Sequence, residues 1–198
     1  MADTLETMMI SHPESHPPYP KTERQAEFIA LGDRMATIAA AQADEHDRNN
    51  TFPHNTFDAL RESGYLKLTV PEEFGGRGGN ALELMLAQEH LARGSGAVAL
   101  GATMHLGIVG GLADSRSWPA DLLERFFGEV VNDGALINSA ASEPDLGSPS
   151  RGGAFRTTAA REGDGWRING RKTWTTLSPG LSYAQVQLTV EETDGETS

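Results

Sequence analysis

The spacing of apolar side chains switches from a helical repeat to a strand-like one within a few residues of Gly134, and that switch limits the folds open to this chain. Upstream, Phe28, Leu31, Met35 and Ile38 recur every three or four residues, and Leu122, Leu123, Phe126, Phe127 and Val130 do the same. That is the period of helices with one apolar stripe. Downstream, Val186, Leu188 and Val190 alternate with Gln185, Gln187 and Thr189, the period of a half-buried strand. Charge changes at the same place: net −10 over residues 1–135, +2 over 136–180 and −4 over 181–198. The expected fold is α+β. An all-α helical domain spans 21–134, an incomplete β domain spans 135–198, and a Pro-rich flexible tail occupies 1–20.

Local signals place the elements. Thr22 with Gln25 and Asn80 with Glu83 are capping-box patterns, opening helices that run to about Asp47 and Arg93. A shorter helix is expected over Asn55–Ser63, with Gly64 past its end. Tyr65 to Val70 reads as a brief extended piece stopped by Pro71. Gly96 to Ala113 reads as a central helix whose small residues let neighbours approach closely. Its 18 residues reach the lower edge for a membrane span, but five Gly, Thr103, His105 and the lack of basic flanks favour a buried helix. Leu136–Ser142, Phe155–Arg161, Trp166–Asn169 and Arg171–Thr176 read as short strands, with a hairpin at Asn169–Gly170 because both turn positions need positive φ. The polar, unpatterned end from Glu191 onward does not finish a β domain. Four or five short strands leave an open sheet edge, so the chain reads as cut inside a domain.

Composition removes several functions. The 198 residues include no Cys, which excludes disulfides, thiolate zinc sites and cysteine nucleophiles. Sixteen basic against 28 acidic residues give a net charge of −12, unsuited to nucleic acid or an anionic membrane. The first basic residue is Lys21, so the basic start of a secretory signal is lacking and a cytoplasmic protein is expected. No phosphate loop, dinucleotide-binding glycine fingerprint, nucleophile elbow or H-E-x-x-H pattern occurs, and the six His are scattered, so no metal is expected.

Three segments carry more specific information: Val70-Pro71-Glu72-Glu73-Phe74-Gly75-Gly76, Ala141-Ser142-Glu143-Pro144-Asp145-Leu146-Gly147-Ser148, and Asp164 to Thr176 with its Trp166, Asn169-Gly170 and Lys172-Thr173-Trp174-Thr175-Thr176. Their order, spacing and helices-then-strands setting resemble the acyl-CoA dehydrogenase family of flavoproteins over about Lys21 to Val190. The resemblance implies a helical domain, a partial β-barrel-like middle domain, and a C-terminal helical domain that is missing from these residues. It implies FAD as cofactor, an acyl-CoA substrate, α,β-dehydrogenation by a carboxylate that removes the α-proton with hydride passing to the flavin, a place in fatty acid metabolism, and a homo-oligomer (dimer or tetramer) in the full-length enzyme. The electron acceptor stays open.

Residue by residue, the resemblance implies that Ser139, Ala141, Ser142, Gly147, Ser148, Trp174, Thr175 and Thr176 hold the cofactor. Ala141 and Ser142 would donate to the ring's polar edge, Trp174 would lie against the ring, and Thr176 would place its hydroxyl near the hydride-accepting nitrogen. Ser148 and His105 would face substrate. Read as residues alone, Ser142 and Ser148 are turn residues, Trp174 and Thr176 fit a strand, and His105 fits a helical core. No catalytic residue is assigned, since none of Glu72, Glu73 and Glu143 matches the family's base, and these residues are expected to be inactive alone. Asp145, Pro149 and Leu177 depart from the family pattern at the cofactor–substrate edge. Pro149 and Leu177 motivate a second reading, a flavin monooxygenase or oxidase on the same scaffold. A third reading is a non-catalytic remnant or assembly module.

Overall fold

In the computed structural model of the chain, residues 18–144 and 154–191 are described. The expected tail falls outside them except for residues 18–20. Helix α1 (Glu23–Asn49) starts at Thr22, whose side chain accepts from the Gln25 N–H; the Gln25 side chain reaches one residue further back, to the Lys21 N–H at 2.7 Å. After α2 (His54–Glu62), α3 (Ala81–Gly94) opens on the complete Asn80–Glu83 capping box. α4 (Gly96–Ser115) is capped by Ser95, and α5 (Ala120–Asn132) completes the helical part.

α4 works as the central helix. Val98, Ala99, Ala102 and Leu106 join Leu31, Leu60, Tyr65 and Leu91 in one core cluster. Val109 and Leu112 join Phe126, Phe127 and Val130 in a second. The Val, Leu and Phe side chains among them each contribute roughly 1.5–3 kcal/mol on burial, so these two clusters dominate the stability of the helical part. Among the described residues α4 alone is long and apolar enough to cross a membrane, and in this fold its apolar face is spent on the two cores.

Two expectations for the helical part are corrected. Tyr65 to Val70 is not extended: Tyr65–Lys67 is a 3₁₀ turn, and the chain doubles back so that Gly78 and Gly79 donate to Val70 and Leu68 at 2.8 Å. Tyr65, Leu66, Leu68, Thr69 and Val70 are all buried, whereas a strand with one face in solvent would expose either Tyr65 and Thr69 or Leu66, Leu68 and Val70. Ile38 follows the α1 stripe in sequence, but it is 40% exposed, because the buried face drifts to Ala39.

The β part follows at once. β1 (Ile137–Ala140) pairs in parallel with β4 (Tyr183–Val186), and the pair leans on the helices: Ile137 and Tyr183 pack in the α4–α5 cluster, Tyr183 edge-on to Phe126. β2 (Thr158–Glu162) pairs antiparallel with β3 (Gly165–Asn169), and β5 (Thr189–Val190) adds in parallel to the other edge of β2. The architecture is α+β, as expected.

Two β expectations fail. The tight turn is Gly163–Asp164, set by the Glu162–Gly165 pair, and residues 171–176 leave the sheet after Asn169. Gly170 serves a close approach instead of a turn, since a Cβ there would lie 2.4 Å from Thr157 Oγ1. The alternation at 185–190 does not mark one half-buried strand either. The segment passes from β1 to β2 as partner between Val186 and Thr189, and Val186 and Val190 are 39% and 53% exposed.

Candidate functional site

The departure of residues 171–176 from the sheet brings them onto the stretch that follows β1. Thr173 N–H donates to the Ser142 carbonyl at 2.9 Å, and Lys172 Nζ reaches the Ala141 carbonyl at 3.3 Å. From β1, Asn138 Nδ2 donates to the Thr176 carbonyl at 2.8 Å. Two stretches separated by about thirty residues thus lie side by side, and between them they hold five of the sequence-predicted site residues.

Glu143 sits at the junction with its carboxylate buried. Oε1 accepts from Lys172 Nζ and the Thr157 N–H, each at 2.8 Å, and Oε2 accepts from the Arg156 N–H at 2.7 Å. The Lys172 ammonium, with hydrogen bonds from Thr157 and Arg156, holds the Glu143 carboxyl down at about 2. A carboxylate that acidic, with both oxygens engaged, is a poor proton acceptor near neutral pH.

Trp174 and Leu177 both have left-handed backbone, φ 58° and 70°. Such a conformation costs a bulky residue on the order of 1–2 kcal/mol. At Leu177 the cost is offset. Its side chain is buried against Phe57 and Gly101, and a Cβ on Gly101 would stand 2.7 Å from Leu177 Cδ2. Burying a Leu contributes roughly 1.5–3 kcal/mol, more than the strain. At Trp174 nothing within the described residues offsets it, because the side chain is 92% exposed. The indole stands beside a hollow of about 480 Å³ lined by Pro144, Thr173 and Trp174. Next to it the Thr173 hydroxyl is buried with no partner among the described residues. A presented aromatic face beside a hollow suits a planar, largely apolar ring.

The structure brings together Ser139, Ala141, Ser142, Trp174, Thr175 and Thr176. Gly147 and Ser148, with Asp145 and Pro149, lie outside the described residues. His105 is corrected. It is fully buried, its Nε2 meets the Leu66 carbonyl at 2.9 Å, and its Nδ1 accepts from the Ile137 N–H at 3.2 Å. Burial lowers its pKa to about 4, against a smaller upward pull from the Leu66 carbonyl. With both nitrogens committed to backbone it joins α4 to β1 and offers no face to a substrate. No group of three or more metal-ligating side chains occurs among the described residues.

Three contributors escape a sequence reading. Asn138, the Glu143–Lys172 pair and Leu177 each act through a residue distant in the chain. The one available signal was Leu177, an apolar residue in a polar Thr/Ser/Pro loop, which points to a buried plug.

Residues 22–114 match the model of the acyl-CoA dehydrogenase N-terminal domain. YdbM of Bacillus subtilis (strain 168), which carries an acyl-CoA dehydrogenase name, is 37% identical over 87% of this chain and 45% of its own length. The cyclohexane-1-carbonyl-CoA dehydrogenase of Syntrophus aciditrophicus (strain SB) is 32% identical over 82% of this chain and 41% of its own. Among solved structures, KijD3 in complex with FMN and a dTDP-sugar aligns with a TM-score of 0.75 at 29% identity, over 89% of this chain and 43% of that one. Butyryl-CoA dehydrogenase of Megasphaera elsdenii shares the fold, with a TM-score of 0.75 at 23% identity over 86% of this chain and 45% of that one. The chain spans less than half the length of these relatives. Family model, relatives and fold together identify the chain as a member of the acyl-CoA dehydrogenase family, spanning the N-terminal helical domain and part of the middle β domain.

Proposed function

We propose that this chain carries one side of the flavin site of an FAD-dependent acyl-CoA dehydrogenase, with the stretches 139–142 and 173–176 holding the ring. The observation that carries the reading is Trp174, strained at φ 58° yet 92% exposed. Strain without compensation among the described residues is what a ligand stacked on the indole would offset. A flavin bound there supplies the acceptor for the hydride that α,β-dehydrogenation of a thioester releases.

The chain's own residues bind and orient. Trp174 covers one ring face and excludes water. The Ala141 and Ser142 amides, with the Ser142 hydroxyl, donate to the polar edge where negative charge accumulates on reduction. Thr176 is held through its carbonyl by Asn138. Glu143 serves no proton abstraction, since Lys172 keeps it ionised and occupied. The test is a titration of the purified protein with FAD, followed by anaerobic addition of acyl-CoA. Flavin uptake is expected, without bleaching by the thioester, since no residue of this stretch is assigned as the base; a protein that gains no flavin absorbance overturns the reading.

A second reading, a flavin monooxygenase or oxidase on this scaffold, is favoured by the likeness to KijD3, whose structure holds FMN. Preference for FMN over FAD and oxygen uptake driven by a separate flavin reductase would select it.

A further inference from the structure

We infer that Glu143 is a positioning residue for the flavin ring: by gripping Lys172 it fixes the turn from which Trp174 is presented. The inference rests on the flavin reading above. Glu143 gathers donors from two other segments, Arg156 and Thr157 ahead of β2 and Lys172 on the Trp174 side. Side-chain exposure is 2% for Glu143 and 11% for Lys172. The ammonium also lies 4.4 Å from the Phe155 ring centroid, so the desolvated cation is enclosed by Glu143, the Ala141 carbonyl and that ring. The next residue, Thr173, donates its N–H to Ser142, and the one after it is Trp174.

A buried ion pair of this kind is seldom a source of net stability, because well-packed apolar side chains of the same volume do as well or better. What it supplies is direction. Both charges are satisfied in one arrangement only, and that arrangement fixes the backbone two residues before the indole. A rotation at Lys172 or Thr173 would swing the Trp174 face away from the hollow beside Pro144.

The test compares the unsubstituted protein with Glu143→Gln, with the double variant Glu143→Leu/Lys172→Met, and with Glu162→Gln, an exposed position on β2, as control. Three quantities are read: FAD affinity, fluorescence of bound flavin at saturation, and exchange of the Thr173 amide. Glu143→Gln is expected to weaken FAD binding at least about tenfold, since a hydrogen bond to a charged group is removed. It is also expected to raise the fluorescence of the flavin that remains bound, as the quenching indole moves off, and to speed Thr173 exchange. The double variant keeps the protein folded through apolar packing but does not restore quenching. Full restoration of affinity and quenching by the double variant would make the pair merely structural and overturn the inference; so would a Glu143→Gln protein with native affinity and native quenching. Failure of the unsubstituted protein to take up FAD overturns the flavin reading itself. A Thr173 amide that exchanges no faster in Glu143→Gln overturns the grip by Glu143 separately, with or without flavin.

Discussion

Asn138 and Thr176 are joined across 38 residues of chain by one hydrogen bond, Asn138 Nδ2 to the Thr176 carbonyl at 2.8 Å, while Asn138 Oδ1 accepts from the Ser139 N–H at 2.7 Å. The amide is therefore used at both ends and is 5% exposed. Asn138→Ala is expected to leave the Thr176 carbonyl unpaired, at about 1–3 kcal/mol. Asn138→Asp is expected to cost more at pH 7, because an ionised oxygen would replace the donor facing that carbonyl, and to recover in part on acidification. Thermal unfolding of both variants at pH 7 and pH 4.5 checks the order.

Leu177 and Gly101 form a knob and its socket. Leu177→Ala is expected to cost about 2–5 kcal/mol and Gly101→Ala about 1–3 kcal/mol. The two act on one contact, so the double variant should cost clearly less than the sum. A denaturant double-mutant cycle reads this directly, and strict additivity would contradict the contact.

His105 makes stability depend on acid. Its folded pKa is about 4 against an ordinary 6.5, so the neutral form is the folded one. Stability is full above pH 6.5 and falls as pH drops toward 4, by roughly 3 kcal/mol if the whole shift is expressed. Glu143 acts lower down. Its carboxyl is held at about 2 against 4.5, so its contribution is present above pH 4.5 and lost as pH falls toward 2. His105→Gln should remove the upper limb and keep the lower one in urea titrations across pH 7 to pH 3.

Much of the helical part is legible in the sequence because its determinants are local. Asn80–Glu83 is a complete box three residues apart, and the stripe through Phe28, Leu31 and Met35 is a simple repeat. Tyr65–Val70 misleads because an apolar run buried on all sides has no period to read. The β part is harder, since its determinants are long-range. Asn169–Gly170 carries the strongest hairpin signal, yet Thr157 occupies the space beside Gly170 and Glu143 draws Lys172 elsewhere. Trp174 and Ser142 can be singled out by the family resemblance, but neither periodicity nor spacing reveals that Glu143, Asn138 and Leu177 bring them together. His105 follows the same rule: its partners, Leu66 and Ile137, lie 39 and 32 residues away.

Under the proposed reading, Trp174 keeps its costly backbone conformation, φ 58°, to present its indole to a flavin. Asn tolerates left-handed backbone far better than Trp, so Trp174→Asn should leave the melting temperature of the flavin-free protein unchanged or slightly higher. The decisive measurement is an FAD titration of the unsubstituted protein, Trp174→Asn and Arg161→Ala, the last a residue whose guanidinium stacks on Trp166 away from the hollow. Trp174→Asn is expected to lose at least about tenfold in FAD affinity while Arg161→Ala stays near the native value. Equal affinity across all three proteins would contradict that reading.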